Sequence, residues 1–77
     1  MKQFNIAIRS FADIQEFVSL SSRQPFAVTV GDTQQDISGK SLMAMLGLNF
    51  RRPLQVNVDC DDDQFAQLQQ EAAKFLT

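Results

Sequence analysis

Hydrophobic and polar residues alternate along several segments of the chain, which is the pattern of strands that bury one face. The segments are Lys2 to Ile8, Phe26 to Val30 and Leu54 to Cys60, and a weaker one, Gln34 to Ser38, follows the turn residues Gly31-Asp32-Thr33. We therefore predict four strands. The first is expected at or near an edge of the sheet, and the third pairs back on the second as a hairpin.

Three other segments have the features of helices. They run from Ser10 to about Ser22, from Ser41 to Leu46, and from Asp61 towards the C-terminus. The first and third carry apolar stripes at helical spacing, namely Phe11, Ile14, Phe17 and Val18, and then Phe65, Leu68, Ala72, Phe75 and Leu76. Ser10 with Asp13 and Asp61 with Gln64 have the spacing of capping boxes, and Gly47 is placed to end the second helix.

The predicted order is strand, helix, strand, strand, helix, strand, helix. Strands with one apolar and one polar face indicate a sheet that is covered on one side only, which is typical of antiparallel sheets. We therefore predict a single α+β domain, residues 1–77, in which three helices cover one face of a four-stranded antiparallel sheet. No internal repeat divides the chain.

Charge and composition narrow the classes of partner. The net charge is −2 and the sequence pI is about 4.7, which disfavours a domain that binds nucleic acid by neutralising phosphates. The longest uncharged, apolar-leaning stretch, Ser41 to Phe50, is far shorter than the roughly 20 residues of a membrane span. A single cysteine and the lack of a leader-like segment before the first strand favour the cytoplasm.

The residue types that carry most catalysis are scarce. The chain has no His, Tyr or Trp and one Cys, so the usual nucleophile and base pairs are absent and we expect neither an enzyme nor a cofactor. Cys60 is interpreted as a packing residue, with a reactive thiol as the alternative. The acidic run Asp59 and Asp61 to Asp63 is interpreted as helix capping rather than a metal site, because it lacks the spacing of a calcium loop.

The segment around Ser41 leaves two questions open. Ser41 is either a simple N-cap or also a modification site, where a phosphate would place nearly two negative charges beside Lys40. The helix that follows is apolar nearly all round, so it is either fully buried or partly exposed as a protein-docking surface. Arg51 and Arg52 follow this segment and, with Lys40, give it a basic rim.

The run Gly39-Lys40-Ser41-Leu42-Met43-Ala44-Met45-Leu46 resembles the regulatory-serine segment of HPr, the histidine-containing phosphocarrier protein of the bacterial sugar phosphotransferase system. The predicted element order agrees with that family across nearly the whole chain. The resemblance implies an HPr-like open-faced β-sandwich with strands in the spatial order 1-4-2-3. It also implies a cytoplasmic protein that regulates sugar transport.

The family's phosphocarrier histidine is missing from this chain. The corresponding stretch reads Arg9-Ser10-Phe11-Ala12-Asp13, with Ser10 at the position of the histidine. Since neither Ser nor Asp forms a labile phosphoramidate, the carrier function does not transfer. A small enzyme that acts through Ser10 or Asp13 is a remote alternative.

The family's second site does transfer by position. Ser41 matches the serine that a dedicated kinase/phosphorylase modifies in the family, after which the phosphoprotein binds a transcriptional regulator. By the resemblance, the partner-docking residues are Leu42, Met43 and Leu46, rimmed by Lys40, Arg51 and Arg52. We therefore expect a regulatory or adaptor protein switched at Ser41, and the alternative is an interaction module with the same fold that uses no phosphorylation.

Overall fold

The chain folds into a four-stranded antiparallel sheet with three helices, in a computed structural model that describes residues 2–32 and 35–77. In chain order the elements are β1 (Lys2–Ile6), α1 (Phe11–Ser22), β2 (Val28–Gly31), β3 (Asp36–Ser38), α2 (Leu42–Met45), β4 (Leu54–Val58) and α3 (Asp62–Glu71), followed by a short 3-10 helix, Ala73–Phe75. The predicted α+β class and element order are confirmed. Thr33 of the predicted turn and Gln34, the predicted start of the third strand, lie outside the described residues.

The strands lie in the order β1-β4-β2-β3, and every neighbouring pair is antiparallel. β4 is therefore one of the two inner strands, and its last residue, Val58, is paired with Lys2 of β1 on one side and Val28 of β2 on the other. β1 lies at the edge, as predicted, and the order is the one that the resemblance implies. The architecture is an HPr-like open-faced sandwich.

Three strands are shorter than the alternating pattern predicted. β1 ends at Ile6 rather than Ile8 because its partner β4 begins at Leu54, directly after Pro53, which has no N–H to donate to a ladder. At the other end of the sheet, β4 stops at Val58 rather than Cys60, and β2 begins at Val28 rather than Phe26. The alternation continues past the paired region because residues beyond it still pack against the core.

One face of the sheet is apolar and buried, and the other is polar. The inner face and the helices form one core of Phe4, Ile6, Ile8, Ile14, Phe17, Leu20, Phe26, Val28, Val30, Met45, Leu48, Leu54, Val56, Val58, Leu68, Ala72 and Phe75. The outer face of the two neighbouring strands β1 and β4 carries amides, namely Gln3, Asn5, Gln55 and Asn57. This division follows from the period of two along a strand.

The two predicted capping boxes differ in detail. At α3, Asp61 accepts a hydrogen bond from the Gln64 N–H at 2.7 Å, and the Asp61 N–H donates to the Gln64 side chain at 3.2 Å. At α1, the Ser10 hydroxyl accepts from the Asp13 N–H at 3.2 Å, but the Asp13 carboxylate accepts from the N–H of Arg9, one residue before the cap. Both helices therefore start where the sequence predicts.

The C-terminal residues close the molecule against β1. α3 ends at Glu71, and the 3-10 helix carries Phe75 into the core, where its ring meets Phe17 edge-to-face with centroids 5.7 Å apart. The Ala7 N–H donates to the Phe75 carbonyl at 2.7 Å, and Leu76 forms a β-bridge with Ile6. This pairing covers part of an edge that would otherwise expose unpaired backbone groups.

We predict that Ser21→Ala stabilises the protein. The Ser21 side chain is 1% exposed, and its hydroxyl has no hydrogen-bond partner in the described part of the chain. Removing a buried, unpaired hydroxyl from a helix and introducing the best helix former should raise the free energy of unfolding by about 1 kcal/mol. Urea denaturation measures this, with Ser19→Ala at an exposed position of α1 as the control. A loss of stability in Ser21→Ala beyond that of the control would contradict the prediction.

Candidate functional site

The segment from Ser38 to Ala44 holds Ser41 at the start of α2. The Ser41 N–H donates to the Ser38 carbonyl at 3.2 Å, and the Ser41 hydroxyl accepts from the Ala44 N–H at 3.3 Å. Ser41 is thus an N-cap, as its sequence position predicts, and it is half-buried. α2 has only four residues, so its dipole would stabilise a phosphate on Ser41 little.

The apolar residues of α2 and the turn after it divide between core and solvent. Met45 is fully buried and Leu48 is 6% exposed, whereas Met43 is 80% exposed and Leu46 is 44% exposed. Leu42 is half-buried and packs against the core. The interpretation of α2 as buried all round is therefore wrong, because one helical turn against a sheet buries only the side that faces it.

Lys40 is engaged with the end of α1. Its ammonium donates to the Gln24 carbonyl at 2.9 Å, in a partly buried position. Gln24 in turn donates through its amide to the Leu20 carbonyl at 3.0 Å and to the Glu71 carboxylate at 3.1 Å. Lys40 therefore ties the start of α2 to the ends of α1 and α3, a contact that its sequence position did not reveal.

The start of α1 contributes an exposed aromatic side chain. Phe11, the first residue of α1, is 52% exposed, although it belongs to the apolar stripe that the sequence predicts. Side chains of an α-helix lean towards its N-terminus, so a residue in the first turn reaches past the end of the helix instead of into the core. Ser10, where the resemblance would place the family's histidine, is exposed and acts as the N-cap.

An open cleft of about 710 Å³ lies between the start of α1 and the loop that follows α2. Its lining residues are Ile8, Arg9, Ser10, Phe11, Ile14, Asp32, Gln35, Gly47, Leu48, Asn49, Phe50 and Arg51. The cleft joins three segments that are far apart in the chain, since Asp32 and Gln35 also line it, so sequence reasoning missed it. The signal in the sequence was the position of Phe11 in the first turn of α1, which indicates a side chain that reaches past the end of the helix.

The topology brings three exposed arginines to one end of the sheet. β4 has five residues and rises about 3.4 Å per residue, with Arg51 and Arg52 before it and the acidic run from Asp59 to Asp63 after it. β1 is antiparallel to β4, so Arg9, which follows β1, lies at the same end as Arg51. Arg9, Arg51 and Arg52 therefore lie at the end of the sheet that bears the cleft, where Asp32 also lies, and the run from Asp59 to Asp63 lies at the other end.

The acidic end has its own local partners. Lys2 forms a salt bridge with Asp62, and this hydrogen-bonded ammonium lowers the pKa of the Asp62 carboxyl. Partial burial, followed by the charge of Asp61, raises the pKa of the Cys60 thiol, so the thiol stays protonated at neutral pH. Within residues 2–32 and 35–77, no group of three or more Cys, Asp or Glu side chains is arranged to hold a metal ion.

We name the exposed apolar residues Phe11, Met43 and Leu46, with the exposed Arg9, Arg51 and Arg52, the docking face. Of the six partner-docking residues that the resemblance implies, four are exposed, namely Met43, Leu46, Arg51 and Arg52. The other two are Leu42, which lies partly in the core, and Lys40, which contacts Gln24. Phe11 and Arg9 are exposed residues that the sequence analysis did not name as docking residues.

Comparisons with known proteins do not assign the chain to a family. No protein-family model matches the sequence, and no curated protein matches it. In the described residues, no helix combines the length and apolar character needed to cross a bilayer.

We predict that Lys40→Met destabilises the protein more than removal of a rim charge does. A charge-assisted hydrogen bond from Lys40 to a partly buried carbonyl should contribute about 1 kcal/mol, and its loss leaves the Gln24 carbonyl without that donor. Arg52→Met is the matched control, because Arg52 is exposed and also loses one positive charge. Urea denaturation of both variants checks this, and an equal loss in the two would show that Lys40 is only a surface charge.

Proposed function

We propose that this protein is a cytoplasmic, HPr-like regulatory or adaptor protein, related to the phosphoenolpyruvate-dependent sugar phosphotransferase system and without phosphohistidine carrier activity. It binds protein partners through the docking face and is regulated by phosphorylation at Ser41. The observation that carries the proposal is the pair of exposed apolar side chains, Met43 and Leu46, directly after a serine N-cap, with the exposed Arg51 and Arg52 following in the chain.

The strand order supports the family assignment within this proposal. The order β1-β4-β2-β3 is the order that the resemblance of the Lys40 to Leu46 segment implies, although that segment is short. The absence of histidine argues against carrier activity, since neither Ser10 nor Asp13 at the start of α1 forms the labile phosphoramidate that such a relay needs. At the histidine position, the Ser10 hydroxyl already accepts a hydrogen bond from the α1 backbone.

Exposure of the docking face supports a role in protein binding. Single exposed apolar residues are common, but Met43 at 80% exposure is the most exposed of the large apolar side chains in the described residues, and it follows Ser41 by two positions. Methionine adapts its shape to a partner surface. Arginine is enriched at protein interfaces and binds carboxylates in a bidentate fashion, so Arg9, Arg51 and Arg52 favour an acidic partner surface.

Phosphorylation at Ser41 would act by local charge. A phosphoserine carries about −1.5 to −2 charges near pH 7 and three acceptor oxygens. The Ala44 N–H, which now donates to the Ser41 hydroxyl, could then donate to the phosphate, so the cap can be kept. The new charge would lie beside Met43 and change which partner surface fits. A kinase/phosphorylase and a transcriptional regulator are the partner classes that follow.

The phosphorylation switch is tested directly with a purified HPr kinase/phosphorylase and ATP. We expect one phosphate per chain at Ser41 and no incorporation into Ser41→Ala, measured by intact-protein and peptide mass spectrometry. Ser38→Ala serves as a control for serines near the same turn. No incorporation into the wild-type protein, or incorporation that persists in Ser41→Ala, would remove the phosphorylation part of the proposal.

A second candidate function is an interaction module that retains the fold but uses no phosphorylation. It is favoured by one observation, namely that the Ser41 hydroxyl is half-buried and already accepts a hydrogen bond as the helix cap. Under this function the docking face binds its partner constitutively, and Ser41 serves only local structure.

Met43→Asp tests docking, which both candidates share, and Ser41→Asp separates the two. Met43→Asp should reduce retention of the native partner at least about tenfold, because interface side chains at a binding centre contribute about 2 kcal/mol or more. It should leave stability nearly unchanged, since Met43 is 80% exposed. Ala66→Asp is the matched control, because Ala66 is an exposed residue of α3.

The readout is quantitative pull-down from the native host. Ser41→Asp should alter the set of retained proteins if Ser41 is a switch and leave it unchanged if the module is constitutive. Equal retention by Met43→Asp and Ala66→Asp would contradict docking through α2.

A further inference from the structure

The loop from Gly47 to Phe50 is held by alternating polar and apolar contacts. The Gly47 carbonyl accepts from the Gln35 side-chain amide at 3.0 Å, and the Asn49 N–H donates to the Asp32 carboxylate at 3.1 Å. Leu48 lies between these two contacts and is buried in the core, with 6% of its surface exposed. Phe50 follows Asn49 and is half-buried against the core. Each residue of this loop therefore has a defined contact.

Both polar contacts come from the connection between β2 and β3. One oxygen of Asp32 accepts from the Gln35 N–H at 2.9 Å, and the other accepts from Asn49. The Asp32 N–H also donates to the Gln35 carbonyl at 3.0 Å. A single carboxylate thus bonds both to its own turn and to a loop 17 residues later in the chain.

This loop determines where Arg51 lies. The Arg51 N–H donates to the Asn49 side chain at 3.1 Å. Arg51 is therefore attached to the residue that the Asp32 carboxylate holds. The same loop joins Leu46 to β4 and lines the cleft at the start of α1. A displacement of Asn49 would move one wall of the cleft and one cation of the docking face together.

We infer that Asp32 and Gln35 are positioning residues that hold the Gly47 to Arg51 loop in its binding geometry and thereby present Arg51 on the docking face. The effect on partner binding rests on the proposed docking function. The claim that Asp32 and Gln35 hold the loop does not. The two contacts have similar lengths, but a hydrogen bond that ends on a charged carboxylate is stronger than a neutral one, so the Asp32 contact is the main tie. Leu48 keeps the loop attached to the core when the tie is lost, so the effect is local.

The structural part is tested by amide hydrogen exchange on the free protein, using NMR. Asp32→Ala should raise the exchange rate of the Asn49 amide about tenfold, while core amides of β4 stay within about twofold. Gln35→Ala should act more weakly, and Asp36→Ala, which removes an exposed carboxylate from the neighbouring strand, should leave Asn49 unchanged. Asp32→Asn, which keeps one acceptor oxygen, should restore part of the protection.

The functional part is tested by Ser41 phosphorylation with the purified HPr kinase/phosphorylase. Asp32→Ala should raise KM several-fold with little change in kcat, and Asp36→Ala should change neither. Unaltered Asn49 exchange in Asp32→Ala, equal acceleration at all amides, or an unchanged KM would each overturn the inference. A wild-type protein that the kinase does not modify would count against the phosphorylation proposal instead, and hydrogen exchange would still decide the role of Asp32.

Discussion

The antiparallel pairing of β4 with β1 and β2 is the interaction on which the rest of this structure depends. β4 is one of the two inner strands, and its inward residues Leu54, Val56 and Val58 are all fully buried. Because side chains alternate along a strand, a shift of one residue in this pairing would turn those three side chains to solvent and bring amides into the core. The register is therefore strongly specified, and the helices pack on whichever face it makes apolar.

The same pairing creates the two ends of the molecule. Antiparallel neighbours bring the segment after β1 beside the segment before β4, which places Arg9 at the same end as Arg51 and Arg52. The start of α1 and the loop after α2 line a cleft at that end. The aspartates that begin α3 necessarily lie at the opposite end, where they cap a helix and bind Lys2. The docking face is thus a product of topology more than of any one motif.

α2 shows how little regular structure is needed to hold exposed apolar side chains in place. Its four residues are held by the Ser41 cap at one end, by buried Met45 at the other and by the anchored Leu48 beyond it. With these positions fixed, Met43 and Leu46 lie on the side of α2 that faces away from the core, and they extend into solvent. The turn depends on neighbours from other elements, since Lys40 bonds to the end of α1 and the loop after α2 bonds to the β2–β3 connection.

The amino-acid pattern alone was enough for the element order, the α+β class, the starts of α1 and α3 and the cap at Ser41, because alternation, helical spacing and capping residues are local signals. The strand ends, the solvent exposure of Phe11 and the partner of Lys40 were decided only by tertiary structure. A strand ends where its partner ends, a side chain in a first helical turn is buried only if something lies beyond the helix, and a lysine bonds to whichever carbonyl the fold brings near. Asp32 and Asn49 meet for the same reason, since contacts between segments distant in sequence leave no periodic trace in either segment.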